Sequence, residues 1–107
     1  MEKLTVKGYQ INYYDSEHSE FRKSDREISN KEVAWSLLHG IETIIDTIYG
    51  GEYRFVMVVS HSHNTSIVFE VWEDSESGEA FVRTKTRIKG ISMNTLHRNE
   101  TVRVVVD

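Results

Sequence analysis

Two histidines spaced two residues apart, His61 and His63, lie between two segments that are typical of strands. Side chains at positions i and i+2 of a strand share one side, so this pair can supply two nitrogen ligands to a metal ion. A metal site also needs a third ligand. The candidate donors by residue type are His39, Glu70, Asp74 and His97. Because Ser, His and Asn are ordinary turn residues, we interpret "SHSHN" as a hairpin tip and keep the metal site as the alternative.

A second possible chemistry, an acid–base pair, is suggested by the residues that follow position 30. Trp35, His39, Glu42 and Asp46 succeed one another at spacings of 4, 3 and 4, which places them along one flank of a helix. Large and charged side chains are also typical of the border of an amphipathic helix, and we prefer that interpretation. The chain has no cysteine, no Gly-x-Ser-x-Gly motif and no phosphate-binding glycine loop. We therefore predict a protein that is not an enzyme and needs no cofactor.

The helix that carries this flank is predicted over residues 30–49. Its apolar residues recur at helical spacing and predict one buried stripe. The stripe consists of Ala34, Leu37, Leu38, Ile41, Ile44, Ile45 and Ile48. The signals at the two ends are a capping box of Ser29 and Glu32, a hydrophobic staple of Ile28 and Val33, and a stop at Gly50-Gly51. Gly40 inside the helix predicts a close approach by another backbone.

Three segments after the helix alternate apolar and polar residues, which predicts strands at 52–60, 65–73 and 79–88. A two-residue turn at His63-Asn64 would set Arg54 opposite Glu73 in the first hairpin, a favourable pair of opposite charges.

The second hairpin is predicted to turn at residues 75–78. This turn sets Trp72 opposite Phe81 and Glu70 opposite Arg83. The three strands then form an antiparallel meander.

The remaining segments complete the sheet. Residues 3–14 predict one strand, with Gly8 as a possible bulge where the alternation slips. Residues 15–29 are densely charged and predict a loop, with room for a short strand around Phe21. Residues 89–100 form a connection without an assignment, and residues 101–107 predict a last strand.

The predicted fold is α+β: a single two-layer domain over residues 1–107, with one amphipathic helix packed on an antiparallel sheet of about 4–6 strands. The helix should cover one face of the sheet, and the register assigns to that face Val56, Val58, Ile67, Phe69, Val71 and Val82. The opposite face is aromatic at its centre and basic at one edge, whereas a solvated face should be mostly polar.

Seven residues of that opposite face are the candidate binding residues: Tyr53, Phe55, Trp72, Phe81, Arg83, Lys85 and Arg87. Three interpretations stay open. The first strand, residues 15–28 or the end of the chain could fold over the face and bury it. The face could dock on a protein partner or on a second copy in a homodimer. It could also bind single-stranded nucleic acid by base stacking and phosphate contacts, although the net charge of −4 argues against this.

The composition is that of an ordinary globular domain, with 107 residues, 38% hydrophobic and 28% charged. No apolar run approaches the ~20 residues that span a bilayer, and the first residues lack the apolar core of a signal peptide. With no cysteine in the chain, we expect a cytoplasmic protein and no membrane partner. Charge is uneven: residues 33–78 hold one Lys/Arg against seven Asp/Glu, and residues 79–107 hold six against three. We expect these two regions to attract each other within the fold.

The leading expectation for function is a small non-enzymatic protein-binding module that uses its aromatic and basic sheet face. Stand-alone domains of this kind include inhibitors, immunity proteins and accessory factors, which is an association and not a physical argument. A metal-dependent enzyme or sensor using His61 and His63 is the alternative, and a nucleic-acid binder is the third candidate.

Overall fold

One α-helix packs on one face of a mixed sheet in the computed structural model, which describes residues 1–15, 28–93 and 98–107. In these ranges the strands are β1 (Glu2–Val6), β2 (Tyr9–Asp15), β3 (Phe55–Ser60), β4 (Thr65–Glu73), β5 (Ala80–Lys89) and β6 (Thr101–Val105), and the helix is α1 (Asn30–Gly50). A 3-10 turn at Arg98–Glu100 precedes β6. The strand order is β1-β2-β5-β4-β3-β6. The predicted α+β architecture of two layers is confirmed.

The sheet is mixed, so the predicted purely antiparallel arrangement is wrong. The pairs β2–β5 and β3–β6 are parallel, and the other three pairs are antiparallel. Parallel neighbours need long connections between strands. The chain supplies both: residues 16–79, which include α1, β3 and β4, separate β2 from β5, and residues 61–100, which include β4 and β5, separate β3 from β6. Local alternation within a strand reports its faces and not the direction of its neighbour.

The beginning of the chain forms two strands rather than one strand with a bulge. Lys7 and Gly8 both adopt positive φ angles, of 48° and 85°, and Val6 pairs directly with Tyr9. Two successive residues with positive φ are the geometry of a tight hairpin turn. The suggested strand around Phe21 lies outside the described residues.

Both ends of α1 follow the predicted signals. The Ser29 hydroxyl accepts a hydrogen bond from the Glu32 amide at 3.3 Å, and Gly51 ends the helix at a φ of 69°. Ile28 and Val33 are 1% and 3% exposed, as a hydrophobic staple requires. The helix ends one residue later than predicted, at Gly50.

The buried stripe of α1 is rotated from the predicted one. Ala34 and Leu38 are exposed, whereas the small residues Ser36 and Gly40 are buried, as is Thr47. A Cβ atom added at Gly40 would lie 2.7 Å from Cγ2 of Val58 in β3. The close approach at Gly40 is therefore to a side chain of the sheet, not to another backbone. Small residues at the contact let the helix axis lie closer to the strands than a stripe of large residues would allow.

The helix covers the face of the sheet that the register assigned to it. Val56, Val58, Ile67, Phe69, Val71 and Val82 are at most 3% exposed and form one core cluster with Leu37, Ile41, Ile44 and Ile48 of α1. That part of the prediction is confirmed.

The two hairpins of the meander differ in how well their registers were predicted. In the second, Trp72 pairs with Phe81 and Glu70 pairs with Arg83, as expected. In the first, every partner is displaced by two residues, so that Phe55 and not Met57 pairs with Glu70, because the loop holds four residues rather than two. A displacement of two leaves each side chain on its original face, and the assignment of faces therefore survives the error.

A β-bulge divides β5 and reverses the faces beyond it. Phe69 pairs with Thr84 but Val68 pairs with Thr86, which leaves Lys85 as the extra residue. Arg87 consequently pairs with Ile67 and points to the helix side of the sheet. The prediction that Arg87 belongs to the open face is wrong, since the simple alternation of β5 is broken at Lys85.

Arg87 is 7% exposed and binds the ends of two elements together. Its Nη2 donates to Asp15 Oδ2 at 3.0 Å and to Asn30 Oδ1 at 2.8 Å, and its Nη1 donates to the Ile28 carbonyl at 2.9 Å. Asp15 ends β2, and Asn30 begins α1. One buried guanidinium therefore joins the last residue of β2, the first turn of the helix and β5.

We expect Arg87→Met to lower the free energy of unfolding by about 2–4 kcal/mol. The substitution leaves the Asp15 carboxylate and the Ile28 carbonyl without their buried donor. Urea unfolding followed by circular dichroism measures the loss. Lys89→Met is the control, because it removes an exposed cation from the same strand and should change stability by less than about 0.5 kcal/mol. Equal effects of the two substitutions would contradict the structural role of Arg87.

Gly40→Ala should destabilise the protein by about 1–3 kcal/mol in spite of the higher helix propensity of alanine, because the new methyl group overlaps Val58. Gly50→Ala is the matched control: its Cβ meets nothing within 4 Å, so propensity alone acts and stability rises by up to ~1 kcal/mol. Thermal unfolding of both variants tests this. A Gly40→Ala protein as stable as the wild type would contradict the tight contact between α1 and β3.

Candidate functional site

Three aromatic rings from neighbouring strands gather on the sheet face away from α1. Trp72 of β4 and Phe81 of β5 stack at 5.4 Å between ring centroids, and Tyr14 of β2 lies 6.3 and 6.2 Å from them. The interplanar angles are only 15–18°. All three side chains are partly exposed. The prediction that Trp72 and Phe81 point away from the helix is confirmed, and we call the set of Tyr14, Trp72, Phe81 and Arg83 the aromatic patch.

Arg83 connects the rings of the aromatic patch to a charge network. Its guanidinium carbon lies 5.4 Å from the ring centroid of Tyr14 and 5.3 Å from that of Trp72, within the range of cation–π attraction. Its Nη1 lies 3.5 Å from Glu70 Oε1. The other carboxylate oxygen, Oε2, accepts from Arg54 Nη2 at 3.1 Å. We call Arg54, Glu70 and Arg83 the arginine clamp, because two guanidinium groups flank one carboxylate.

The arginine clamp faces solvent on its cationic side. The side chains of Arg54 and Arg83 are 62% and 42% exposed, and that of Glu70 is 17% exposed. A guanidinium carries five N–H donors, of which Glu70 occupies one from Arg54. The expected attraction between the acidic middle and the basic end of the chain is therefore present here, as the contact between Glu70 and Arg83.

The remaining predicted binding residues are distributed over several surfaces. Phe55 shares the face of the patch but is 4% exposed, with the Arg54 guanidinium carbon 5.4 Å from its ring centroid. Tyr53 is 37% exposed and lines a cleft with Thr47 and Val102 on the helix side. Lys85 is exposed at the bulge. Trp72, Phe81 and Arg83 are the predicted residues that come together.

The other half of the open face is buried, and the start of the connection after β5 bonds to its strands. The Ser66 hydroxyl donates to the Gly90 carbonyl and accepts from the Ser92 amide, both at 2.9 Å. Arg103 Nε donates to the Ser92 carbonyl at 3.3 Å. Met57 and Val59 on this half are 1% and 0% exposed. The described residues at the end of the chain therefore contact the face at this half.

The histidine pair lies at the tip of the first hairpin, whose geometry depends on Asp107. Its carboxylate accepts from the His61 amide at 2.6 Å, from the Ser60 hydroxyl at 2.9 Å and from the hydroxyl and amide of Ser62. Donation by the Ser62 hydroxyl is the main reason why the pKa of Asp107 falls to about 2, and the Ser60 hydroxyl and the His61 and Ser62 amides contribute to the decrease. The tip turns at Asn64, whose φ is 52°. The tip is therefore a polar hairpin turn, as the sequence predicts.

His63 is used in stacking and not in a cluster of ligands. The Trp35 ring lies between His63 and His39, at 4.0 Å between centroids on each side and with interplanar angles of 22° and 25°. Through residues 1–15, 28–93 and 98–107, no three His, Asp or Glu side chains gather as a metal site requires. The candidate donor His97 lies outside these ranges. Of the residues on the predicted acid–base flank, His39 stacks on Trp35, while Glu42 and Asp46 are exposed.

Two residues of the site were missed by sequence reasoning. The sequence predicts Tyr14 as part of one long first strand, whereas its pairing with Arg83 depends on a parallel contact between β2 and β5. Arg54 was expected opposite Glu73, although it binds Glu70. The Lys7-Gly8 dipeptide was the available sign of the first hairpin, since glycine readily adopts positive φ.

No family model matches the chain, and neither a curated protein nor a solved structure shows significant similarity to it. Among the helical residues of the described part of the chain, no segment is long and apolar enough to cross a membrane.

The hairpin tip should respond to pH through Asp107. A carboxyl whose pKa is lowered on folding stabilises the folded state above its unfolded pKa of 3.8, and this contribution is lost as the pH falls through about 2. We expect the amide resonances of His61 and Ser62 to shift with a midpoint near 2. Asp107→Asn should abolish that transition and, at neutral pH, accelerate amide exchange at the tip but not in β4. A midpoint near 3.8 would contradict the bonded carboxylate.

Proposed function

We propose that this protein is a small non-enzymatic binding module that docks on other proteins through the aromatic patch. The observation that carries the proposal is the stack of Tyr14, Trp72 and Phe81, left partly exposed beside Arg83 on the sheet face that α1 does not cover. Aromatic residues and arginine are the types enriched where protein interfaces gain most of their binding energy.

The contrast between the two halves of the open face supports this proposal. The half at Met57 and Val59 is buried, and Gly90 and Ser92 hydrogen-bond to Ser66 beside it. The half at Trp72 keeps partly exposed rings. Rings that are already stacked on one another lose little side-chain freedom on binding, which lowers the entropic cost of an interface.

The partner in this proposal is another protein. A second copy of the chain is a weaker partner, which contacts the rings of the aromatic patch but not its arginine. Inhibitor, immunity or accessory roles all fit a module of this kind, and the cytoplasm remains the proposed compartment on the basis of the cysteine-free sequence. Nucleic acid is disfavoured by the net charge of −4 and by Glu70, which occupies the centre of the cationic part of the face.

Trp72→Ala should weaken self-association at high protein concentration while lowering the free energy of unfolding by less than about 3 kcal/mol, because part of the ring stays exposed to solvent. Sedimentation velocity across a concentration series and urea unfolding measure the two effects. Trp35→Ala is the matched control, since it removes the other tryptophan from the flank of α1 and should leave association unchanged. A loss above about 3 kcal/mol with unchanged association would place Trp72 in the core and refute the proposal.

A further inference from the structure

The arginine clamp holds more hydrogen-bonding capacity than the protein itself uses. Glu70 binds Arg54 with one oxygen and lies beside Arg83 with the other, so both of its oxygens are engaged. Each guanidinium has five donors in a planar fork that fits a carboxylate in a bidentate manner. Among the described residues, the carboxylate that lies within 4.0 Å of the Arg54 and Arg83 guanidinium groups is that of Glu70. Both guanidinium groups therefore keep donors that Glu70 does not occupy, on side chains that are 62% and 42% exposed.

The two guanidinium groups are held in place before any ligand arrives. The guanidinium of Arg83 lies over the rings of Tyr14 and Trp72, and that of Arg54 lies over Phe55. Glu70 fixes the separation between them. A cation whose position is fixed by rings and by a neighbouring carboxylate loses less freedom when it binds an anion than a free surface lysine does.

Charge is distributed unevenly between the two sides of the domain. The clamp carries two cations and one anion, and exposed Lys85 lies near it on β5. The opposite side, along α1 and its C-terminal end, exposes Glu42, Asp46 and Glu52. Exposed Glu73, Glu76 and Glu79 lie at the turn between β4 and β5, on the other side of Trp72 and Phe81 from the clamp. An approaching acidic group is therefore attracted to the clamp end of the patch and repelled from that turn and from the helix.

We infer that the aromatic patch and the arginine clamp together recognise an acidic segment of a protein partner. This inference rests on the proposed function and specifies its partner. An apolar side chain of the segment stacks on Tyr14 and Trp72, and adjacent carboxylates take the donors of Arg83 and Arg54 that Glu70 does not occupy. A second copy does not offer this match at its own patch, because its Glu70 is engaged by its own arginines. Contact with its acidic helix would be head-to-tail, and contacts of that kind do not close into a dimer.

The first experiment selects ligands from a phage-displayed library of random dodecapeptides on the immobilised wild-type protein, after depletion on Trp72→Ala. Enrichment of peptides that combine Asp or Glu with an aromatic residue is the expected result. Enrichment of peptides without acidic residues would overturn the acidic partner and leave the protein-binding function in place. Failure to enrich any peptide that depends on Trp72 would overturn both.

The second experiment measures the affinity of one selected peptide, and of its version with Gln at every acidic position, by isothermal titration calorimetry. The reference is the affinity of the acidic peptide for the wild-type protein. We expect the Gln peptide to bind the wild type at least about tenfold more weakly than this reference. We expect the same loss when the acidic peptide binds Arg54→Gln/Arg83→Gln. The charge-matched control is Lys7→Gln/Lys89→Gln, which should bind as the wild type does. Equal affinities in all four pairs would refute the role of the clamp.

Two further measurements keep the inference testable. Circular dichroism shows whether Arg54→Gln/Arg83→Gln is folded. If that variant is unfolded, Arg54→Lys/Arg83→Lys replaces it, because lysine keeps the charge but lacks the planar fork. The lysine variant should bind the acidic peptide about tenfold more weakly than the wild type does. Titration with oligo(dT) separates a peptide from a nucleic-acid ligand. Binding of oligo(dT) that is tighter than peptide binding and that requires Arg83 would overturn the inference.

Discussion

The pairing of β4 with β5 contains one bulge, and this bulge decides which side chains of β5 lie on each face of the sheet. Up to Thr84 the strand alternates regularly and directs Phe81 and Arg83 to the open face. Lys85 then adds one residue, and Arg87 emerges on the side of the helix. Arg83 and Arg87 of the same strand therefore lie on opposite faces of the sheet. Arg83 stays partly exposed among rings, and Arg87 is buried among hydrogen-bond acceptors.

The packing of α1 follows from the same sheet. Small residues on the buried stripe, Gly40 above all, let the helix approach the centre of the sheet at Val58. The helix fills one face there, and its first turn is fixed to β2 and β5 through Arg87. A single amphipathic helix has one apolar stripe and can cover one face. The other face must therefore be closed by different residues or remain in contact with solvent. Among the described residues, Gly90 and Ser92 bond to Ser66 and Arg103 at the half beside β3 and β6.

In the open half, the residues proposed for binding also stabilise the sheet. Trp72, Phe81 and Tyr14 bury part of their surface against one another, which stabilises the central strands. Arg83 is held by two of these rings and by Glu70, and the proposed acidic ligand would bind to the same fixed guanidinium. An exposed ion pair contributes little to folding, so stability alone does not account for the order of the clamp, which is the basis of the proposed recognition of an acidic segment.

The sequence by itself determined the helix with its ends, the strands of the meander, the pair of Trp72 with Phe81, and the face on which the core lies. These features are set by local periodicity, capping and adjacent turns, all of which act over a few residues. An error of two residues in the first hairpin did no harm to the faces, because side chains in a strand alternate with a period of two.

The tertiary structure alone decided the direction of neighbouring strands, the bulge at Lys85, the hydrogen bonds of Gly90 and Ser92 to Ser66, and the arrival of Tyr14 beside Arg83. Each depends on contacts between segments distant in the chain, and the residues involved carry no local pattern that distinguishes one partner strand from another. The sequence predicts the patch as a whole face of the sheet. Its extent in the structure depends on long-range contacts, because these decide which other parts of that face are buried.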